Sequence, residues 1–380
     1  FDGGQELIFS TGHSNSNYLA PTNVGRNQIR DWQIGYYQLR YNSNHWFAQA
    51  YYTTSKTDST YSHDDRTKQY YRGIDAGMTP SEALAQSYDG GALFRDKSNR
   101  INGELQYRNE WGGLNMIVGA QFQRDNANSL NTYLIEKDVD DVISVNQFGG
   151  YGQARYKFAD NKWEGLFAFR ADNHEIYGFN FVPKFGLLFH QPNSTWRLTY
   201  GQGIAAPTIF NQFADLFGGL ILGNGEGFTL NDGTVIDPQR VEKLQTIELG
   251  YKGQVVKNKL YLDANAYYNI STDFLSPVTV VGVATQRGDV PIDQVQSLYA
   301  VYGGLVATYI NFGNFDTYGA DFGFNYYFTK DFSASLNYSY FGYNIDENNL
   351  DNDFNGDGTV DKLDLLVNAP NNKGSLGFNY

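Results

Sequence analysis

The chain has 380 residues, including 30 Tyr, 27 Phe and no Cys, and carries a net charge of -13 from 28 Lys plus Arg against 41 Asp plus Glu. No stretch approaches the ~18 apolar residues of a membrane-spanning helix, zero cysteine removes disulfides and thiolate metal sites, and the acidic balance argues against a nucleic-acid partner, whose phosphates need clustered Lys and Arg. What remains is a two-residue alternation rich in Tyr and Phe, recurring in segments of about ten residues, the length a tilted strand needs to cross a bilayer. The pattern reads as an all-β, transmembrane antiparallel β-barrel of the outer membrane, with about fourteen strands visible, long extracellular loops and membrane lipid against one face.

In chain order, the first strand begins near Glu6. Tight links rich in Gly, Asn, Asp or Lys fall near Asn42 to His45, Gly112 to Gly113, Ala159 to Lys162, Gln191 to Ser194, Gln254 to Asn258 and Thr329 to Asp331. Between them lie longer segments, roughly 15–30, 58–98, 127–147, 205–243, 273–314 and 345–370. Bacterial barrels turn tightly at the periplasm and loop widely outside, so the tight links are assigned to the periplasm and the long ones to the cell exterior. In segment 58–98, Thr79, Pro80 and Glu82 have the spacing of a capping box with proline at the first helical position, which predicts a short helix from about Ser81 to Tyr88.

The strands sort their side chains by face. Leu260, Leu262, Ala264, Ala266, Tyr268 and Ile270 share one side of a strand, as do Ala320, Phe322, Phe324, Tyr326 and Phe328, and Leu336, Tyr338 and Tyr340. Opposite them fall Asp263, Asn265 and Asn269, then Asp321 and Asn325, then Ser335, Asn337 and Ser339. Polar and often charged residues occupy the inward positions: Gln153, Arg155 and Lys157; Arg170 and Asp172; Arg197 and Thr199; Glu248 and Lys252. A Lys or Arg facing lipid at mid-bilayer costs about 2–4 kcal/mol, so these groups must meet water, each other or a plug. The five histidines are scattered, with His174 and His190 read as loop or girdle residues, and no glycine-flanked serine follows a strand, so no enzyme is expected.

The stretch Trp196-Arg-Leu-Thr-Tyr-Gly-Gln-Gly-Ile-Ala-Ala-Pro-Thr208 resembles a strand-to-loop signature of TonB-dependent outer-membrane receptors, of the Bacteroidetes type, and Val241-Glu-Lys-Leu-Gln-Thr-Ile-Glu-Leu-Gly-Tyr-Lys252 resembles the strand that follows it. Asn311-Phe-Gly-Asn, Tyr318-Gly-Ala-Asp-Phe322 and Asn368-Ala-Pro-Asn-Asn-Lys-Gly374 look like later landmarks in the same order. The resemblance implies a 22-stranded barrel around a plug domain, sited in the outer membrane of a Gram-negative bacterium. It implies import of a scarce nutrient, such as a siderophore, vitamin or oligosaccharide, powered through the periplasmic TonB complex by way of the plug region. A surface lipoprotein is a further expected partner. The chain shows no plug, TonB-contacting box or signal peptide, so a single partial barrel domain over residues 1–380 is expected, against a complete fourteen-strand passive channel. A calcium-stabilised surface adhesin or scaffold barrel is the other alternative.

The last long segment contains Asp353-Phe-Asn-Gly-Asp-Gly-Thr-Val-Asp-Lys-Leu-Asp364. Oxygen donors fall at positions 1, 3, 5, 7, 9 and 12 of an EF-hand-like loop as Asp353, Asn355, Asp357, the Thr359 carbonyl, Asp361 and Asp364, with Gly358 at the sharp turn. Carboxylates this close repel one another unless a cation sits among them, which makes calcium the expected structural cofactor, bound at about 0.1–1 mM. The other reading is an acidic, turn-rich surface loop.

Overall fold

The computed structural model describes residues 4–22, 25–88, 91–135, 141–354, 357–364 and 369–380. Strands β1 (Glu6–Thr22), β2 (Gly25–Asn42) and β3 (Trp46–Ser62) lead into helices α1 (His63–Asp75) and α2 (Pro80–Gln86). Six strands follow: β4 (Leu93–Trp111), β5 (Leu114–Ala127), β6 (Ile143–Phe158), β7 (Trp163–His174), β8 (Gly178–Gln191) and β9 (Ser194–Ala205). Helix α3 (Ile209–Phe213) and short strands β10 (Asp215–Leu216), β11 (Ile221–Leu222), β12 (Phe228–Leu230) and β13 (Val235–Ile236) precede the hairpin β14 (Glu242–Val256) and β15 (Leu260–Leu275). A second irregular stretch holds β16 (Thr279–Arg287), β17 (Val290–Pro291), α4 (Ile292–Val295), α5 (Tyr299–Tyr302) and β18 (Leu305–Thr308), before β19 (Asn311–Tyr327), β20 (Ser333–Ile345) and β21 (Asn372–Asn379).

Fourteen strands form one antiparallel wall in the order β1 to β9, β14, β15, β19, β20, β21, so neighbours in the wall are consecutive long strands in the chain. The six tight links all join wall neighbours at one rim, as the sequence predicts. Register confirms the two faces. Tyr251, Ala264, Phe322 and Tyr338 lie in one cross-strand row, while Lys252, Asp263, Gly323 and Asn337 lie in the next row on the opposite face. Near the tight-turn rim, Phe158, Trp163, Phe189, Trp196 and Tyr251 form an unbroken aromatic row across five strands. Such a row is the aromatic girdle of a membrane barrel, and its cross-strand ring pairs, with centroids at 4.6 Å for Trp163 and Phe189 and 4.7 Å for Trp196 and Tyr251, contribute roughly 0.2–1 kcal/mol each.

Two connections differ from the sequence reading. Residues 15–30 are not a loop: β1 and β2 stay paired up to Thr22 opposite Gly25, with one bulge between Ser16 and Tyr18. The Asn and Asp side chains there bond across the ladder instead of breaking it, Asn15 Nδ2 donating to Asp31 Oδ1 at 2.5 Å and the Asp31 amide to Asn17 Oδ1 at 2.9 Å. At the same rim β7 and β8 are joined by only Glu175 to Tyr177, so tight and long links do not strictly alternate. Strands reach 19 residues in β4, well beyond the 9–11 that cross a bilayer, so the wall projects past the membrane and its polar ends lie in water.

The inward charges meet one another. Arg155 Nε donates to Glu164 Oε1 at 2.8 Å, and Arg170 donates to Asp172 at 2.6 Å and to Gln121 at 2.7 Å. Arg197 Nη2 reaches both Glu248 Oε1 and Asn265 Oδ1 at 2.6 Å, and Lys252 Nζ lies 3.1 Å from Asp263. A Cβ at Gly250 would lie 2.6 Å from Arg197 Nε, so glycine there makes room for this guanidinium. His190 belongs to this wall and not to a loop or girdle: its Nε2 lies 3.4 Å from Glu164 Oε2, since the pairing of β8 carries it onto the inward face. His174 ends β7, stacked on Tyr177.

Candidate ligand-capture site at the long-loop rim

Opposite the tight turns, the rim carries folded structure. The segments on either side of the β14–β15 hairpin meet in a second sheet, ordered β10-β11-β18-β16-β12-β13, with β17 paired to β16. Apolar residues that follow no long alternation close a core between them: Leu222, Phe228, Leu230, Ala284, Ile292 and Val306 are all buried. Chain reversal relies on glycine where the backbone has positive φ, as at Gly227 (80°), where a Cβ would strike the Ile236 carbonyl at 2.7 Å. Together these loops form a cap with a hydrophobic centre, which holds its surface in a fixed shape.

Polar anchors fix the cap to itself and to its neighbours. The buried Arg287 guanidinium donates to the carbonyls of Gly223 (3.1 Å) and Gln212 (3.0 Å) and to Glu226 (2.8 Å), and Gln296 Nε2 bridges the carbonyls of Gly219 and Leu305. Loop 128–135 joins by a bridge between Leu134 and Ala214, with the Ile135 amide donating to Phe213 at 2.7 Å. Tyr177 donates to the Pro207 carbonyl at 2.5 Å, and burial raises its phenol above the usual tyrosine range. The Asn314 amide donates to Asn352 Oδ1 at 2.8 Å, and Phe312 packs on Phe354 at 4.5 Å, tying the last loop to the same base. Asp215, set among these groups, has its pKa pushed up to about 6 by burial, which outweighs the opposing pull of the Gly219 amide and Arg287.

The predicted helix is present as α2, starting one residue earlier at Pro80 and ending two earlier at Gln86: Thr79 accepts from the Glu82 amide at 3.4 Å and Glu82 Oε2 accepts from the Thr79 amide at 2.9 Å. The Thr79 hydroxyl, donating to Glu82 Oε2 at 2.7 Å, and then the Thr79 amide hold the Glu82 carboxyl below its ordinary pKa. Sequence reading missed α1, whose residues show no apolar stripe at helical spacing. Its signals are local: Ser62 caps the Asp65 amide at 3.2 Å and acidic Asp64 and Asp65 fill the first turn. Between α1 and the cap opens a cleft of about 720 Å³ lined by Asp65, Lys68, Arg72, Phe217, Leu298 and Tyr302. A second cleft, about 450 Å³, lies at the cap base among Arg240, Asp273, Asn311, Phe312 and Phe354. Both offer charged and aromatic groups together, the lining expected for a polar small molecule.

In the loop whose spacing predicts calcium, the structure places Asp353 after a 3₁₀ turn, with Oδ1 accepting from the Asp357 amide at 3.2 Å and Oδ2 from the Gly358 amide at 2.8 Å. Asp357 accepts from the Thr359 amide at 2.9 Å, Asp361 from the Leu363 amide at 2.6 Å, and the buried Asp364 from the Asp361 amide at 2.7 Å. Gly358 has the positive φ, 85°, that the sharp turn requires. Asn355, together with the landmark Asn368, lies outside the described residues. Among the described residues, no three carboxylate or imidazole groups converge as metal ligands.

A wall of fourteen antiparallel strands with an aromatic, apolar exterior, a paired polar interior and structured loops over one rim defines an outer-membrane β-barrel. Residues 2–380 match the model of the TonB dependent receptor-like β-barrel, and the chain belongs to that family, whose barrels lie in the outer membrane of Gram-negative bacteria. Similar solved structures include the siderophore receptor PirA from Pseudomonas aeruginosa, at 12% identity and TM-score 0.59 over 90% of this chain and 55% of that one. The FrpB iron transporter from Neisseria meningitidis aligns at 11% identity and TM-score 0.56 over 97% and 52%, and the copper transporter OprC at 13% and 0.54 over 90% and 51%. The chain thus spans about half the length of these structures. No curated relative matches the sequence.

Proposed function

We propose that this chain is the ligand-capturing part of a TonB-dependent importer, which takes a scarce small molecule or oligosaccharide from outside the cell and passes it inward through the barrel. The observation that carries the reading is the cap: two loops on either side of β14–β15 fold into one cored sheet over the rim of a wall of this family. A passive channel needs no such rigid surface, whereas selection of a dilute ligand needs pre-formed clefts. Siderophore and metal receptors among the structural neighbours make an iron or other metal chelate the first ligand class to test, with vitamins and oligosaccharides next. Coupling would run through a plug domain and TonB, and a surface lipoprotein would be a further partner outside the membrane. Calcium in loop 353–364 is part of the same proposal and rests on the donor spacing; binding would draw the carboxylates of Asp353 and Asp357 from loop amides to the ion.

The test is uptake of labelled ferric chelates, cobalamin and oligosaccharides by cells expressing the full-length receptor, with and without a protonophore, and with Phe228→Asp in the cap core. Uptake of one class that stops under the protonophore and under the substitution supports the reading. Uptake indifferent to both refutes it.

A further inference from the structure

On the outward face, above the aromatic row, the next two cross-strand rows read Tyr156, Gly165, Leu187, Leu198, Leu249 and then Ala154, Phe167, Phe185, Tyr200, Ile247. Large side chains fill nearly every position, and Gly165 and Ala154 interrupt them as diagonal neighbours, one row apart on adjacent strands. The result is a groove of about 570 Å³ whose exposed lining is almost wholly apolar, with Gly165 and Ala154 on its floor and the rings of Tyr156, Phe158, Phe167 and Phe185 among its walls. Neither φ nor packing demands glycine here: Gly165 has no positive φ, and a Cβ built on it would meet nothing nearer than Phe158 Cε1 at 4.0 Å. Outward Gly152 differs, since its space is taken by the Phe169 ring at 2.8 Å. A glycine inside a strand costs stability and marks a place where something outside the sheet comes close.

We propose that this groove is a binding site for one acyl chain of a phospholipid from the periplasmic leaflet. Position on the wall fixes the occupant. The groove lies on the lipid-facing side, where water and soluble ligands do not reach, and within a few residues of the tight turns, which this barrel class sets at the periplasmic rim. The girdle rings of Trp163 and Phe189 then sit at the level of the ester groups, and Lys162 of the adjacent turn stands at the headgroup level, where its cation complements a phosphate. A chain seated in the groove gains contact on its floor and both sides, which a chain against a flat wall lacks.

The experiment is native mass spectrometry of the full-length receptor extracted from outer membranes in mild detergent, comparing wild type with Gly165→Leu and Ala154→Leu, each of which fills the groove floor from a strand position that accepts leucine. Folding of each variant is checked by heat-modifiable gel mobility. The expected result is one retained phospholipid per wild-type barrel, at least fivefold depleted in whichever filled variant folds. Wild type with no phospholipid beyond that on an unrelated barrel prepared alike, retention of lipid A instead, or equal retention in the variants would overturn the proposal.

Discussion

Asp215 gives the cap a pH dependence that can be worked out from the structure. Its pKa is about 6 when buried, against 3.8 in water, so the closed cap holds this proton more tightly than an opened cap does. Closed-state stability therefore falls as pH rises from about 4 to about 6 and is level on either side. At 1.36 kcal/mol per unit, the ionised carboxylate costs the closed cap about 3 kcal/mol at pH 7.5 and about 1.6 kcal/mol at pH 5, so acidification over that range restores about 1.4 kcal/mol, roughly tenfold in the opening equilibrium. The readout is hydrogen exchange, corrected for intrinsic rates, at amides that hold the cap sheet, such as Gly223 bonded to Ala214 and Ala307 bonded to Leu220. Protection should rise about tenfold from pH 7.5 to pH 5 in wild type. Asp215→Asn should flatten that response and match or exceed wild-type protection at pH 7.5. Equal protection at both pH values in wild type, or an unchanged response in Asp215→Asn, would refute the argument.

Spin labels at Leu336, Tyr338, Phe322 and Phe324 in the full-length protein should report lipid-dissolved oxygen, and labels at Asn337 and Asn325 should report water, the reverse pattern being incompatible with the register found. Thr79→Ala removes the side-chain half of the capping box, leaving the backbone amide at position 79 bonded to Glu82, and should lower the local stability of α2 by about 1 kcal/mol, seen as faster proteolysis confined to residues 76–92. For the last loop, calcium at about 1 mM should slow proteolysis between residues 345 and 371, and Asp353→Asn with Asp357→Asn should abolish that protection. Calorimetry without heat of binding up to several millimolar calcium would reduce the loop to an acidic turn.

Much of the wall was legible in the chain because its determinants are local. A period-two alternation needs only neighbours in sequence, so Leu336, Tyr338 and Asn337 declare their faces unaided, and tight turns such as Gly112 to Gly113 declare themselves by backbone freedom. The capping box at Thr79 and Glu82 is local in the same way. Pairing overrode local chemistry at residues 15–30, where the turn-forming Asn15, Asn17 and Asp31 side chains were absorbed as cross-strand hydrogen bonds. Inward charge was readable at Arg197 and Glu248, yet their meeting, with Asn265 as a third partner, depends on strands brought side by side by register. The cap lay furthest from view. Leu222, Phe228 and Val306 follow no period because short strands from two separated segments build its core, and a residue buried by a partner some eighty positions away leaves no trace in its own neighbourhood. The chain by itself determined the barrel wall and its two faces; only the tertiary structure decided that the long loops fold together, that Asp215 is half-buried among them, and that Gly165 and Ala154 stand as diagonal neighbours on adjacent strands.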